Sequence, residues 1–373
     1  MVTVNLSKIH LIAAARPNFM KVAPLYHALR QETWCKPILI HTGQHYDANM
    51  SEDFLRDLGL PEPDRYLGVG SGTNAEQTAG VMVAYERVCL EELPDCVIVV
   101  GDVNSTLACA LTAKKLCLPV AHLEAGLRSR DMTMPEEINR IVTDAVSDLL
   151  WTPSPDADEN LRSEGVPERK ILCVGNIMID SYEMLRDKIE EEQTAALFGL
   201  TPNTYGVITL HRPANVDSRE KLSQFSFLMK EISSILPIVF PVHPRTKKML
   251  ETFGLWDDLE KAQGLHLTEP MGYIRFMSLV RHAKLVITDS GGIQEETTYL
   301  NIPCLTLRES TERPITIKQG TNQLVRFETL QSSVRKILRN EWRHGVRPDF
   351  WDGHTAERVV KSLKLICGNQ NGV

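Results

Sequence analysis

The stretch DCVIVVGDVNSTLACALTAKKLCLPVAHLEAG, residues 95–126, decides the fold. An unbroken apolar run, CVIVV, meets a polar turn. A segment of helical spacing follows, and then a second apolar run that ends in charge. A strand with one wet face alternates apolar and polar residues, whereas CVIVV does not alternate and so reads as buried on both faces. TLACALTAKKL carries its apolar residues at helical spacing, as a helix covering one of those faces would. Strand, helix and strand in this order make the crossover unit of a parallel sheet.

The same unit recurs along the chain. Strands are predicted at KIHLIAA (8–14), PILIHT (37–42), DCVIVVG (95–101), PVAHLEA (119–125), LLWTP (149–153) and ILCVG (171–175). The series resumes with YGVITLH (205–211), PIVFPVH (237–243), LHLTE (265–269), KLVITD (284–289) and PCLTLR (303–308). Amphipathic segments such as MKVAPLYHALRQ, SEDFLRDLGL and KLSQFSFLMKEISSIL lie between them. The alternation pauses between about residues 178 and 204, in a charged helical stretch followed by GLTPNTYG. A chain of 373 residues also exceeds the size at which one core usually stops growing. The expectation is an α/β protein of two Rossmann-like, doubly wound parallel-sheet domains.

The net charge of −7 argues against nucleic acid or an anionic membrane as a partner. No apolar run approaches the roughly 20 residues that cross a bilayer. The N-terminal MVTVNLSKIHLIAAARPNF lacks the layout of a signal peptide, because its apolar run leads straight into Arg16 and Pro17. Eight cysteines are scattered singly without CxxC or zinc-type spacing, which fits buried, reduced thiols in a cytoplasmic protein.

Nearly every predicted strand ends in polar or special residues: AAARPN, HTGQHYD, VGDVNST, HLEAG, VGNIMID, TLHRPAN, PVHPRT, LTEP and TDSGG. Ligands of open parallel sheets bind beyond the carboxyl ends of the strands, so these loops are the candidate site. In ITDSGGIQEE, Ser290, Gly291 and Gly292 stand between strand and helix, where backbone N–H groups suit phosphate oxygens. Glu296 follows about one turn later, in reach of a ribose hydroxyl. An ordinary turn with an acidic first helical turn fits the same residues. The Gly-Lys-Ser/Thr ending of a P-loop is missing, which argues against an ATPase.

Arg16 and Lys21, at the start of a helix, oppose its dipole unless they serve an anion such as a diphosphate. His211 in TLHRPAN, with His243 and Arg245 in PVHPRT, sit at matching strand ends, where cationic groups suit a leaving phosphate. Asp102, Glu124 and Glu136 would crowd one crevice, as general acid–base chemistry needs. Their structural alternatives are an Asx turn for Asp102 and an acidic helix start behind Pro135 for Glu136. Arg313, in the loop RESTERP, reads either as a binding residue or as part of a solvated turn. Phe276, in YIRFMSLV, reads as helix core.

The ordered series ARPNFMKVAPL, HTGQHYD, GDVNSTLA, HLEAGLRS, MPEEINR, GNIMID, TLHRPANVD, PVHPRT, ITDSGGIQEE, TERPITIKQGT and DGHTAERVV resembles the non-hydrolysing UDP-N-acetylglucosamine 2-epimerases along nearly the whole chain. The resemblance implies a GT-B-type architecture with the ligand cleft between two Rossmann-like domains. It places the N-terminal domain at residues 1–178 and a UDP-binding domain at 179–351, with a C-terminal helix (about 352–373) crossing back to the first. The activity it implies is interconversion of UDP-N-acetylglucosamine and UDP-N-acetylmannosamine in a homodimer, without metal or redox cofactor. UDP leaves by anti elimination, giving 2-acetamidoglucal, and adds back with the proton delivered to the other face.

Within that scheme Asp102, Glu124, Glu136 and His211 are the catalytic residues. Arg16 and the Ser290–Gly292 turn would serve the diphosphate, Glu296 the ribose, Phe276 the uracil border and Arg313 the nucleotide loop. Lys21, His243 and Arg245 join them as substrate-binding groups. The chain departs from the best-known bacterial pattern at Pro213, Ala214 and PVHPRT. Its HYD-type loop also differs from the QHREMLDQ type that contributes an activating site, which argues against such a site here. The runners-up are a 2-epimerase of a UDP-2,3-diacetamido sugar or uronic acid, a GT-B glycosyltransferase, a hydrolysing 2-epimerase and a non-catalytic UDP-sugar sensor.

Overall fold

The computed structural model describes residues 6–43 and 55–367. Most of the HTGQHYD loop and the start of SEDFLRDLGL lie outside the described residues. The chain divides into two compact units, one running up to Met184 and resuming at Asp349, the other spanning Leu185–Pro348.

The described residues of the first unit form seven parallel strands: β1 (Ser7–Ala13), β2 (Cys35–His41), β3 (Arg65–Tyr66), β4 (Cys96–Val100), β5 (Val120–Leu123), β6 (Leu149–Thr152) and β7 (Ile171–Cys173). Their order across the sheet is β3-β2-β1-β4-β5-β6-β7. All five residues of β4 are buried, as an unalternating apolar run requires when helices cover both faces. One covering layer packs Val81, Tyr85 and Val88 of the helix Asn74–Glu91 and Ala108 and Cys109 of the helix Asn104–Lys115 against the sheet. Six described cysteines are buried or half-buried, whereas Cys117, expected inside, is exposed at a left-handed turn.

The second unit holds six parallel strands: β8 (Gly206–Thr209), β9 (Ile238–Pro241), β10 (Leu265–Thr268), β11 (Leu285–Thr288), β12 (Cys304–Thr306) and β13 (Asn322–Leu324). Their order is β10-β9-β8-β11-β12-β13. Its core includes Phe225 edge-to-face against Phe240 and Phe327, with ring centroids 5.8 and 6.4 Å apart.

All eleven predicted strands are present, and β3 and β13 are additional. RY and NQL are too short and too polar to announce themselves as buried strands. The first unit ends after Met184, not near residue 178, because Ile177, Ile179 and Tyr182 of the helix Ile177–Met184 are buried. The Ser181 hydroxyl donates to the Met20 carbonyl and fixes that helix to the first crossover helix, Arg16–Arg30.

The chain returns to the first unit through the terminal helix Thr355–Cys367. Asp180 accepts from the Thr355 and Ala356 N–H groups at 3.1 and 2.7 Å, capping this helix from a distant segment. Trp351 Nε1 donates to the Pro153 carbonyl at 3.0 Å, and Trp151 Nε1 to Ser362 Oγ at 3.1 Å.

Two features of sequence turn strand ends into binding loops. Six of the described helices carry proline in their first turn, at Pro17, Pro135, Pro155, Pro213, Pro244 and Pro314. Proline there forgoes an N–H that has no intrahelical acceptor and keeps the preceding residue out of the helix, so the break is sharp. In each sheet the direction of winding also reverses once, between β1 and β4 and between β8 and β11. Such switch points leave a crevice at the strand ends. No described helix is long and apolar enough to cross a membrane.

Candidate active site

In the first unit, the reversal point collects the loops after β1 and β4 and, beside them, the end of β5. Val100 pairs with Leu123, so Asp102 and Glu124 leave neighbouring strands almost level. Gly101 has a φ of +71°, and a Cβ there would lie 3.2 Å from Lys21 Nζ and 3.6 Å from Glu124 Oε2. Glycine thus supplies both the turn and the room for that ion pair. Glu124 itself holds a φ of +72°, uncommon for a residue with a side chain. It is 4% exposed; its Oε2 meets Lys21 Nζ, while Oε1 is buried without a partner among the described residues.

Asp102 is held by the helix Pro135–Val146. Arg140 Nη1 pairs with Asp102 Oδ2, and Asn139 Nδ2 donates to the Asp102 carbonyl at 2.9 Å. Arg140 Nη2 also binds Glu137 Oε2 at 2.7 Å. Glu137 further accepts the Ser129 and Arg130 N–H groups at 2.9 and 2.8 Å. Burial would raise the Glu137 pKa, but these donors and Arg140 outweigh it and hold the carboxylate below its ordinary value. Its neighbour Glu136 is exposed. The expected crowd of three carboxylates is therefore two paired ones, each with its own cation, and one open to solvent.

Lys21, expected at a diphosphate, is buried against Glu124. Arg16 opens its helix, but its side chain lies outside the described residues. Beneath these groups, His122 gives Nδ1 to Asp144 at 2.6 Å and Nε2 to the Gly101 carbonyl at 2.8 Å. Arg128 pairs with Asp144 and Glu164 at 2.8 and 2.6 Å, which makes it scaffold for the loop.

In the second unit, the reversal point is centred on Asp289. This carboxylate accepts the Arg212 N–H at 2.8 Å and Asn215 Nδ2 at 3.1 Å, and it lies 2.9 Å from His211 Nδ1. Burial would raise its pKa, but His211, the Arg212 N–H and Asn215 keep it below the ordinary value. The His211 and His243 rings stand 5.5 Å apart. Burial, and then His211, lower the pKa of His243. Arg245 turns to Asp217, with Nε 2.9 Å from Oδ1.

The turn after Asp289 separates its two glycines by role. A Cβ on Gly291 would meet Glu312 Oε1 at 2.7 Å and Arg313 Nη1 at 2.9 Å, so this glycine makes room for an ion pair. A Cβ on Gly292 would meet nothing within 4 Å, so open space lies beside this glycine. Ser290 stands just before the helix Gly291–Tyr299 in extended conformation, without a side-chain capping bond to it. Arg313 pairs with Glu312 and, at 2.7 Å, with Glu295. Arg308 joins Glu312 at 2.8 Å. Burial works against a charged Glu312, yet Arg313 and Arg308 hold it far below the carboxylate range.

Glu296 is buried and accepts from the Tyr273 hydroxyl at 2.7 Å. Burial pushes its pKa up to about 8; the Tyr273 bond opposes the shift and Glu295 adds to it. Phe276 is half-buried, three residues after Tyr273 in the helix Tyr273–Arg281. Sequence reasoning missed Glu137, Arg140, Tyr273 and Asp289. Only Asp289 carried a signal, as the acidic residue between an apolar strand and a glycine turn.

Two doubly wound parallel sheets with charged strand ends define a GT-B-type protein. A family model described as UDP-N-acetylglucosamine 2-epimerase matches residues 27–364. A Methanocaldococcus jannaschii protein named UDP-N-acetylglucosamine 2-epimerase is 43% identical over 363 residues, 95% of this chain and 98% of that protein. A solved structure of the UDP-GlcNAc 2-epimerase of that organism, in complex with UDP-GlcNAc and UDP, matches with a TM-score of 0.88 at 42% identity. That match covers 96% of this chain and 99% of the solved one. A Pseudomonas aeruginosa UDP-2,3-diacetamido-2,3-dideoxy-D-glucuronate 2-epimerase is 40% identical over 365 residues, 95% of this chain and 99% of that protein. The chain belongs to the UDP-N-acetylglucosamine 2-epimerase family, a family of isomerases.

Proposed function

We propose that this protein interconverts UDP-N-acetylglucosamine and UDP-N-acetylmannosamine by elimination and readdition of UDP. The observation that carries the reading is the pair of carboxylates at the ends of β4 and β5, each held by its own buried cation. The proton on the second sugar carbon is not adjacent to a carbonyl, so its removal needs a leaving group on the neighbouring carbon. A carboxylate takes that proton as the bond from C1 to the β-phosphate oxygen breaks. The electron pair of that bond leaves with UDP, and a C1–C2 double bond forms, giving 2-acetamidoglucal. Readdition runs in reverse, with the proton delivered to the opposite face of C2. Two faces call for more than one acid–base group, and Asp102, Glu124 and Glu136 supply them. Lys21 keeps Glu124 in place.

The unit Leu185–Pro348 takes the UDP moiety. The turn at Gly292 and the helix start behind Ser290 receive the diphosphate, with His211 and His243 beside it. Glu296 meets the ribose, Phe276 the uracil, and Arg313 holds the turn through Glu312. Arg245 orders the rim of the anion site through Asp217.

Incubation with UDP-N-acetylglucosamine in deuterium oxide tests the reading. Deuterium enters at the second sugar carbon and UDP-N-acetylmannosamine accumulates toward equilibrium. Absence of exchange with this sugar and with its diacetamido relatives overturns it. A second substrate class is favoured by the 40% identity to the diacetamido-uronate enzyme, close to the 43% of the first relative. Exchange confined to the diacetamido uronate would select it.

A further inference from the structure

We propose that Asp289 is the positioning residue that fixes the orientation and the Nδ1 proton of His211. The catalytic meaning of this proposal rests on the epimerase reading above. Thr209 and Thr288 are register partners on β8 and β11 and share a hydroxyl hydrogen bond of 2.7 Å, so the two strands end together. Asp289, fully buried, comes next on β11 and turns its carboxylate across the reversal point. Its Oδ2 accepts three donors: the Arg212 N–H at 2.8 Å, the His211 N–H at 3.1 Å and Asn215 Nδ2 at 3.1 Å. Its Oδ1 lies 2.9 Å from His211 Nδ1.

A carboxylate can only accept there, so Nδ1 carries a proton and the opposite nitrogen, Nε2, points away. The His211 side chain is 39% exposed. His122 shows the contrast. It too lies on an aspartate, but its second nitrogen is tied to the Gly101 carbonyl and its ring is fully buried, so it can only brace the fold. His211 has the same anchor with its working edge open. The charged and titratable groups around that ring are Asp289, Arg212 with Nε on the Asp289 carbonyl at 2.9 Å, and His243. Asp289 also immediately precedes Ser290, the residue before the helix Gly291–Tyr299. One buried carboxylate thereby holds His211 in register with the turn that receives the diphosphate.

Asp289→Asn tests this specifically. Three donors converge on the Oδ2 position, so the amide oxygen occupies it and the NH2 faces Nδ1. The proton is then displaced to Nε2, the wrong tautomer for a ring that must take up a proton at that edge and return it. The expected result is a fall in kcat of about a hundredfold or more, with UDP affinity within about threefold. In a His211→Gln background, Asp289→Asn should cost less than about threefold further, because both act through one ring. Independent losses that multiply would overturn the proposal. The ¹⁵N spectrum of histidine-labelled wild-type protein supplies a readout independent of turnover, and should show a protonated His211 Nδ1. An unprotonated Nδ1 refutes the proposal, and this holds if the variant fails to fold or if neither sugar is epimerised.

Discussion

Glu296→Gln should make the ligand-free protein more stable at neutral and alkaline pH. In the fold, Glu296 has a pKa of about 8, whereas the ordinary value is 4.5. The folded chain therefore keeps a proton that the unfolded chain loses as pH rises through 4.5. The stability this contributes is fully present below 4.5 and is lost progressively up to about 8. At about 1.4 kcal/mol per pKa unit, the loss is about 3 kcal/mol by pH 7 and nears 5 kcal/mol above pH 8. Glutamine keeps an acceptor for Tyr273 and has no proton to lose. The variant should match wild type near pH 4.5 and melt roughly 6–12 °C higher near pH 7, at about 2–4 °C per kcal/mol. Calorimetric melting of both proteins at pH 5, 7 and 8.5 measures the effect. Equal melting at all three pH values, or a variant less stable throughout, refutes the account of a buried carboxyl held neutral.

Other perturbations separate scaffold from site. Gly291→Ala should destabilise the protein measurably in urea, because its Cβ would meet Glu312 at 2.7 Å, whereas Gly292→Ala should leave the urea midpoint unchanged and weaken UDP in titration calorimetry. Glu312→Gln should cost about 3–5 kcal/mol in urea unfolding, since it strands Arg308 as a buried, unbalanced cation and removes one of the carboxylates that hold Arg313. Lys21→Met should lower kcat in the exchange assay at least about tenfold while UDP affinity holds, because Lys21 touches Glu124 and the nucleotide contacts are elsewhere.

The parallel sheets were legible because a strand buried on both faces writes itself as an unbroken apolar run, as CVIVV does. The charged strand ends were legible for the same reason, since they break those runs. Which charge meets which was not. Lys21 and Glu124 are 103 residues apart, and nothing local distinguishes a lysine aimed at an anion from one aimed at a distant carboxylate. Glu136 and Glu137 are neighbours in one helical turn, about 100° apart around the axis, and only the packing of that helix decides which faces inward. Gly291 and Gly292 look alike as letters, and their difference lies in the side chains of Glu312 and Arg313 some twenty positions later. Asp289 was within reach, and its neighbours in TDSGG drew attention away from it.

The return of the chain to its first unit also orders events on the ribosome. Residues 185–348 form a continuous segment that can complete its sheet as soon as it emerges. The unit that begins the protein must wait for the last helix. Until Thr355 arrives, Asp180 lacks the N–H groups it caps, and until Trp351 and Ser362 arrive the Pro153 carbonyl and Trp151 Nε1 lack their partners. The first half to be synthesised is thus the last to finish folding. A nascent chain paused between about residues 350 and 367 exposes an unfinished edge to chaperones and proteases, although most of its sequence is already made.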